Sequence, residues 1–102
     1  MATSTIIENG KANNLGSVIN LSSYTSDFYT FPSDGYIRLD ASGGASQTAR
    51  VDIYGSTNST PFRIGVNGGN SYPAIATYVR KGMRCKVASV TNGGVVTFFP
   101  LA

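Results

Sequence analysis

Apolar and polar residues alternate with a period of two along several stretches of this chain. In YIRLD, Ile37 and Leu39 point one way and the intervening residues point the other way. The same alternation recurs in TARVDIYG, PFRIGV and MRCKV, and the closing VVTFFPL is almost wholly apolar. A period of two indicates β-strands with one buried face. The positions predicted to face inward are Ile37, Leu39, Ala49, Val51, Ile53, Phe62, Ile64, Val66, Met83, Cys85 and Val87.

Gly, Pro, Asn and Ser clusters separate these stretches, and weaker strand patterns lie near residues 4–8, 15–21, 26–31 and 72–79. No window shows a sustained helical period. Eight or nine short strands at even spacing predict an all-β fold, an antiparallel two-sheet β-sandwich, with a small barrel as the alternative. We predict a weakly structured N-terminal arm over residues 1–14 and a single β-sandwich domain over residues 15–102.

Two turns suggest specific strand registers. Asn92-Gly93 between β-branched residues is a strong signal for a two-residue hairpin, which would set Thr91 against Gly94. In that register Val87 pairs with Phe98 and Lys86 pairs with Phe99. The apolar residues of both strands then lie on the same face of the pair. We therefore expect these two strands to pair.

The charged residues beside Ile37 and Leu39 suggest how this strand pairs with the next one, TARVDIYG, across a loop from Gly43 to Gln47. Pairing the two strands so that their residue numbers sum to 90 sets Arg38 against Asp52 and Asp40 against Arg50. Opposite charges facing each other stabilise a sheet, whereas like charges destabilise it. We expect the charges to fix this register.

Composition narrows the classes of function. The net charge is +3, and charged residues make up 13% of the chain, against about 25% in ordinary globular proteins. The basic residues are spaced singly, which does not favour nucleic-acid binding. The sequence has neither a signal-peptide pattern nor an apolar run of the ~20 residues that a membrane helix needs.

Candidate chemistry is sparse. The chain has no histidine, and its lone cysteine, Cys85, sits at an inward position and is predicted to be a buried hydrophobe. Asp40 and Asp52 are the one conceivable glycosidase pair, and the predicted register sets each beside an arginine. Asp27 and Asp34 lack the acidic neighbours of a calcium site. We predict no catalytic residue, no metal site and no cofactor, and hence that the protein is not an enzyme.

Four aromatic residues occupy strand positions that are predicted to face away from the core: Tyr36, Tyr54, Tyr78 and Phe99. They are compatible with cross-strand packing on a wet face, with a subunit interface or with a platform for sugars. Aromatic residues are enriched at protein interfaces, so these four are our candidates for an oligomer interface, with Phe99 nearest the symmetry axis.

Three segments, FYTFPSDGYIRLDAS, YVRKGMRCKV and the terminal GGVVTFFPLA, resemble small β-sandwich domains of tailed-phage virion proteins. The resemblance spans roughly residues 24 to 102 and implies a jelly roll of the tumour-necrosis-factor kind, often a homotrimer. It further implies a non-enzymatic structural role at the virion surface, as a capsid decoration or a head or tail fibre domain. The implied partners are copies of itself, other virion proteins and a host surface glycan. A carbohydrate-binding module is the alternative function. Outside a phage, an extracellular or cytoplasmic location remains open.

Overall fold

The computed structural model describes residues 5–8, 11–14, 16–57, 59–69 and 72–101. These residues form ten β-strands: β1 (Thr5–Glu8), β2 (Lys11–Asn14), β3 (Ile19–Asn20), β4 (Tyr29–Thr30), β5 (Gly35–Asp40), β6 (Thr48–Tyr54), β7 (Phe62–Asn67), β8 (Ala74–Val79), β9 (Arg84–Thr91) and β10 (Val95–Pro100). The described residues contain no helix, and the prediction of an all-β fold is confirmed.

Eight of the strands form two antiparallel four-stranded sheets, consistent with a β-sandwich. The first sheet has the order β3-β10-β5-β8, and the second has the order β4-β9-β6-β7. The strands β1 and β2 pair with each other as a separate two-stranded sheet inside the predicted arm. The boundary of that arm near residue 15 stays a prediction.

The core lies between the two four-stranded sheets. The alternating pattern predicted most of it, because Ile37, Leu39, Val51, Cys85 and other inward positions are fully buried. Ile64 and Met83 are partly buried against this core. Phe62 also has the inward parity but is 51% exposed, because β7 is an edge strand. The complete buried set is Leu21, Phe31, Ile37, Leu39, Ala41, Ala49, Val51, Ile53, Val66, Val79, Cys85, Val87, Val96 and Phe98.

An aromatic cluster fills one end of this core. The ring centroids of Phe31 and Phe98 are 4.9 Å apart, and Tyr29 contacts Phe31 edge-on at 5.6 Å. Phe31 comes from the second sheet's edge and Phe98 from the centre of the first sheet, so the cluster joins the two layers. Offset and edge-on ring contacts add to the free energy gained from burial alone.

The predicted pairing of β5 with β6 is wrong. The loop of residues 41–47 carries the chain from the first sheet to the second, so Arg38 does not face Asp52 and Asp40 does not face Arg50. Arg38 instead pairs with Asp40 on its own strand, at 2.9 Å. Within the second sheet, Asp52 lies directly opposite Arg63.

The predicted pairing of β9 with β10 is also wrong, although the turn itself is present. Asn92 and Gly93 both have positive φ, at 53° and 96°, and the N–H of Gly94 donates to the carbonyl of Thr91. After this turn, however, the chain enters the other sheet. Both strands face the same core, so apolar parity is satisfied equally by pairing in one sheet and by stacking across two.

A register shift in β9 also departs from the simple alternation. Val87 pairs with Val51 and Ser89 pairs with Arg50, which leaves Ala88 as an extra residue, as in a β-bulge. The bulge moves the inward parity from odd to even positions. Val90, rather than Ser89, therefore packs against the core.

Candidate oligomerisation surface

Three of the four predicted interface residues form one row across the outer face of the first sheet. Phe99 on β10 lies opposite Tyr36 on β5, and Tyr36 lies opposite Tyr78 on β8. The rings of Tyr36 and Tyr78 meet edge-on with centroids 5.4 Å apart. All three side chains are half-buried. We call Phe99, Tyr36 and Tyr78 the aromatic row.

Strand alternation places these residues outward. On each strand, the neighbour in sequence points into the core: Phe98 beside Phe99, Ile37 beside Tyr36 and Val79 beside Tyr78. Burial of these neighbours fixes the register of each strand, since a slip of one residue would expose them. The same burial therefore holds the row on the outer face.

One end of the row is fastened by Asp34, which lies in the turn before β5. Its carboxylate accepts the backbone N–H of Lys81 at 2.8 Å and a hydrogen bond from the Tyr78 side chain. These bonds, with the Lys81 N–H as the largest cause, hold the pKa of Asp34 below its ordinary value. Tyr78 is therefore held by its hydroxyl as well as by its ring, which restricts its conformations in the row.

The remainder of this outer face is electrically neutral. Arg38 and Asp40 form an ion pair, and Thr97, Ala76 and Ala74 lie beside them in the register. The pKa of Asp40 is lowered, mainly by hydrogen bonds from the Ser42 hydroxyl and backbone N–H and to a smaller extent by Arg38. A neutral face with a row of half-buried aromatic side chains can associate with a copy of itself without bringing like charges together.

Tyr54, the fourth predicted residue, lies on the outer face of the other sheet. Its ring meets Phe28 edge-on at 5.0 Å, and the guanidinium of Arg84 lies 4.6 Å from the Phe28 ring centroid. The ammonium of Lys86 lies 4.4 Å from the same ring. Cation–π contacts of this kind occupy the aromatic faces and stabilise the fold locally. Lys86 thus covers Phe28 instead of Phe99, which corrects the predicted contact.

Phe28 was not identified from the sequence. A usable signal was present in DFYTF, where Tyr29 and Phe31 share the inward parity and Phe28 falls on the outward one. The strand β4 is only two residues long, and so short an alternation was too weak to interpret.

The outer face of the second sheet is basic. It carries Arg50, Arg63, Arg84 and Lys86 and a single acid, Asp52, which binds Arg63 through two hydrogen bonds at 2.6 and 3.0 Å. A shallow depression of about 240 Å³ lies between Arg50 and Arg63. The two outer faces therefore differ: one is neutral and aromatic, and the other holds an excess of positive charge.

Other candidate chemistry is sparse within the described residues. Cys85 is fully buried, as predicted, and desolvation raises the pKa of its thiol to about 12. In the described part of the chain, no three His, Cys, Asp or Glu side chains lie close enough to hold a metal ion. Across the described ranges, no helix has the length and apolarity to cross a membrane.

Comparison of the chain with protein-family models, with curated proteins and with solved structures gives no match.

Proposed function

We propose that this protein is a non-enzymatic structural component of a phage virion, either a capsid decoration protein or a head or tail fibre domain. It acts as a homotrimer at the virion surface. The single observation that carries the proposal is the aromatic row, Phe99, Tyr36 and Tyr78, on a neutral outer face. The resemblance of residues 24 to 102 to virion β-sandwich domains supplies the biological setting.

The strand order supports a jelly roll of the tumour-necrosis-factor kind. Counted from β3, the first, eighth, third and sixth strands form one sheet, and the second, seventh, fourth and fifth form the other. Eight strands wound in this order correspond to the double Greek key of a jelly roll. That architecture occurs in viral capsid proteins and in lectins, so the fold alone does not decide between a virion protein and a sugar-binding module.

The aromatic row supports a structural role at the virion surface because it can form the interface of a trimer. A cyclic trimer presents one patch three times around its axis, so a substitution at one aromatic residue changes three equivalent contacts. Phe99 lies on β10, an inner strand of the first sheet, with Tyr36 beside it. Tyr54 faces the opposite way and belongs to the cluster of Phe28 and Arg84, so we place it outside the interface.

Two experiments test the proposed function: analysis of phage particles for the protein, and measurement of its binding to glycans. Phage or prophage particles purified from the organism that carries the gene are expected to contain the protein at the copy number of a structural component. A glycan array probed with the same protein tests the alternative. Absence from the particles together with saturable binding to one sugar would establish the carbohydrate-binding module instead.

A further inference from the structure

The strand β8 is an edge strand without charge. Its sequence, AIATYV, contains no charged residue and no proline. It pairs with β5 on one side, and the far side of Ala74, Ile75, Ala76 and Thr77 pairs with no other strand of the described chain. Ile75 is 37% exposed. Proteins normally protect such edges with charges, proline, bulges or very short strands, because an unprotected edge pairs with another chain.

The other edges of the two sheets are protected. The strands β3 and β4 are two residues long, which leaves little backbone to pair. The strand β7 has six residues but carries the charged Arg63. Among the edges of the two four-stranded sheets, β8 is therefore both long and unprotected.

The residues that flank β8 add an exposed aromatic group and a cation. Tyr72 lies two residues before the strand and is 82% exposed, the highest value among the exposed large hydrophobic side chains. Arg80 follows the last residue of the strand and is also exposed. An aromatic ring at one end and a guanidinium at the other are complementary when two copies of the strand run antiparallel.

We propose that β8 pairs antiparallel with β8 of a second copy of this protein, about a two-fold axis at Ala76. The two first sheets then join into one continuous eight-stranded sheet. A two-fold contact of this kind uses the same strand from both subunits, so residue i meets residue j and residue j meets residue i.

Strand geometry restricts the register. Directly opposed residues in an antiparallel pair project from the same face, so the numbers of paired residues must sum to an even value. With Ala76 on the axis, Ala74 opposes Tyr78 and Ile75 opposes Thr77. Extending the register by two residues sets Tyr72 of one copy against Arg80 of the other. With Thr77 on the axis, Tyr72 would oppose Gly82 and keep its ring exposed, so we favour Ala76.

The charges are compatible with this arrangement. Arg80 and Lys81 of the two copies lie at opposite ends of the paired strands, so like charges do not meet. The basic face of the second sheet is not involved. A second copy therefore fits the β8 edge without electrostatic penalty.

This contact goes beyond the proposed trimer and does not require it. The edge pairs through the backbone of β8, whereas the aromatic row is a set of side chains on the outer face, and Tyr78 is the residue that the two have in common. The edge alone gives a dimer and the row alone gives a trimer. Both together close into an assembly of six when the two-fold and three-fold axes intersect at right angles. The test is made in the Phe99→Asp variant, so that the trimer contact cannot bring two β8 strands together.

Disulfide crosslinking at Ala76 tests the register. Opposed residues in an antiparallel pair have Cα atoms about 4.5–5.5 Å apart, which matches the spacing a disulfide needs. On mild oxidation, the Ala76→Cys variant is therefore expected to convert from single chains to a disulfide-linked dimer. Ala88→Cys is the matched control, since Ala88 is also exposed but lies on β9, an inner strand of the second sheet. Cys85 is buried and does not compete.

A charge exchange at the same position gives a second readout by light scattering. Ala76→Lys and Ala76→Glu, each alone, place like charges opposite each other on the axis and are expected to be monomers. An equimolar mixture is expected to recover the dimer mass. An Ala76→Cys variant that oxidises no further than Ala88→Cys, or a mixture that stays monomeric, overturns the proposal. If another strand or another protein covers β8, the result is this same absence of a crosslink.

Discussion

The carboxylate of Asp34 accepts the backbone N–H of Lys81 at 2.8 Å, which ties the turn before β5 to the turn after β8. The two turns are far apart in sequence but lie at the same end of the first sheet, because β5 and β8 are antiparallel neighbours. Tyr78 shares the same carboxylate. The bond therefore connects the stability of the sheet to the position of the aromatic row.

Asp34→Asn is expected to reduce stability near neutral pH and to have little effect in acid. The pKa of Asp34 is lowered in the folded state, chiefly by the Lys81 N–H. The stability it contributes is present above the unfolded pKa of about 3.9 and is lost as the pH falls through the lower folded value. Urea denaturation near pH ~7 and ~2.5 checks this, with the exposed Asp27→Asn as control. If Asp34→Asn lowered the free energy of unfolding by the same amount at both pH values, the prediction would be contradicted.

Gly35→Ala is expected to destabilise the fold. A Cβ at Gly35 would lie 2.7 Å from a ring carbon of Phe98 and closer still to the carbonyl oxygen of Phe99. Overpacking of this kind costs typically about 1–3 kcal/mol of unfolding free energy. Gly44→Ala is the matched control, because its Cβ would meet no atom within 4 Å. Urea midpoints measure both variants, and similar losses in the two would show that the close approach at Gly35 is unimportant.

The thiol of Cys85 is expected to resist alkylation in the folded protein. It is fully buried, and burial raises its pKa to about 12, so almost no thiolate forms near neutral pH. Because the folded pKa is raised, stability should also fall as the pH rises above the unfolded value of about 8.5. Mass spectrometry after iodoacetamide treatment checks the first point. Ala88→Cys supplies an exposed thiol as the positive control, and equal labelling of both cysteines would refute the burial.

The inward positions of the sandwich were predictable from sequence, because burial imposes a period of two on each strand. Ile37, Leu39 and Val51 all follow that rule and are buried. Which strands pair with which was not predictable from the same information. Parity requires only that apolar faces meet, and the faces of β9 and β10 meet across the core without pairing.

The charges were similarly ambiguous. Opposite charges do face each other on the sheet, but Asp52 meets Arg63 and not Arg38. An exposed pair of this kind contributes only about 0–1 kcal/mol, which is too little to decide the path of the chain. The outward orientation of the four aromatic residues followed from strand parity alone. Tyr54 lies on the other sheet from the remaining three. Strand alternation could not predict this, because it does not show which strands share a sheet.

The most direct test of the proposed role of the aromatic row is the mass in solution, measured by light scattering at micromolar concentration. We expect wild type to have a mass that is a multiple of three subunits. Phe99→Asp should lose the threefold contact, Tyr36→Asp should weaken it, and Tyr54→Asp, a matched change on the opposite face, should retain it. Circular dichroism confirms that each variant is folded. A wild-type monomer, or a Phe99→Asp variant with unchanged mass, would contradict the account.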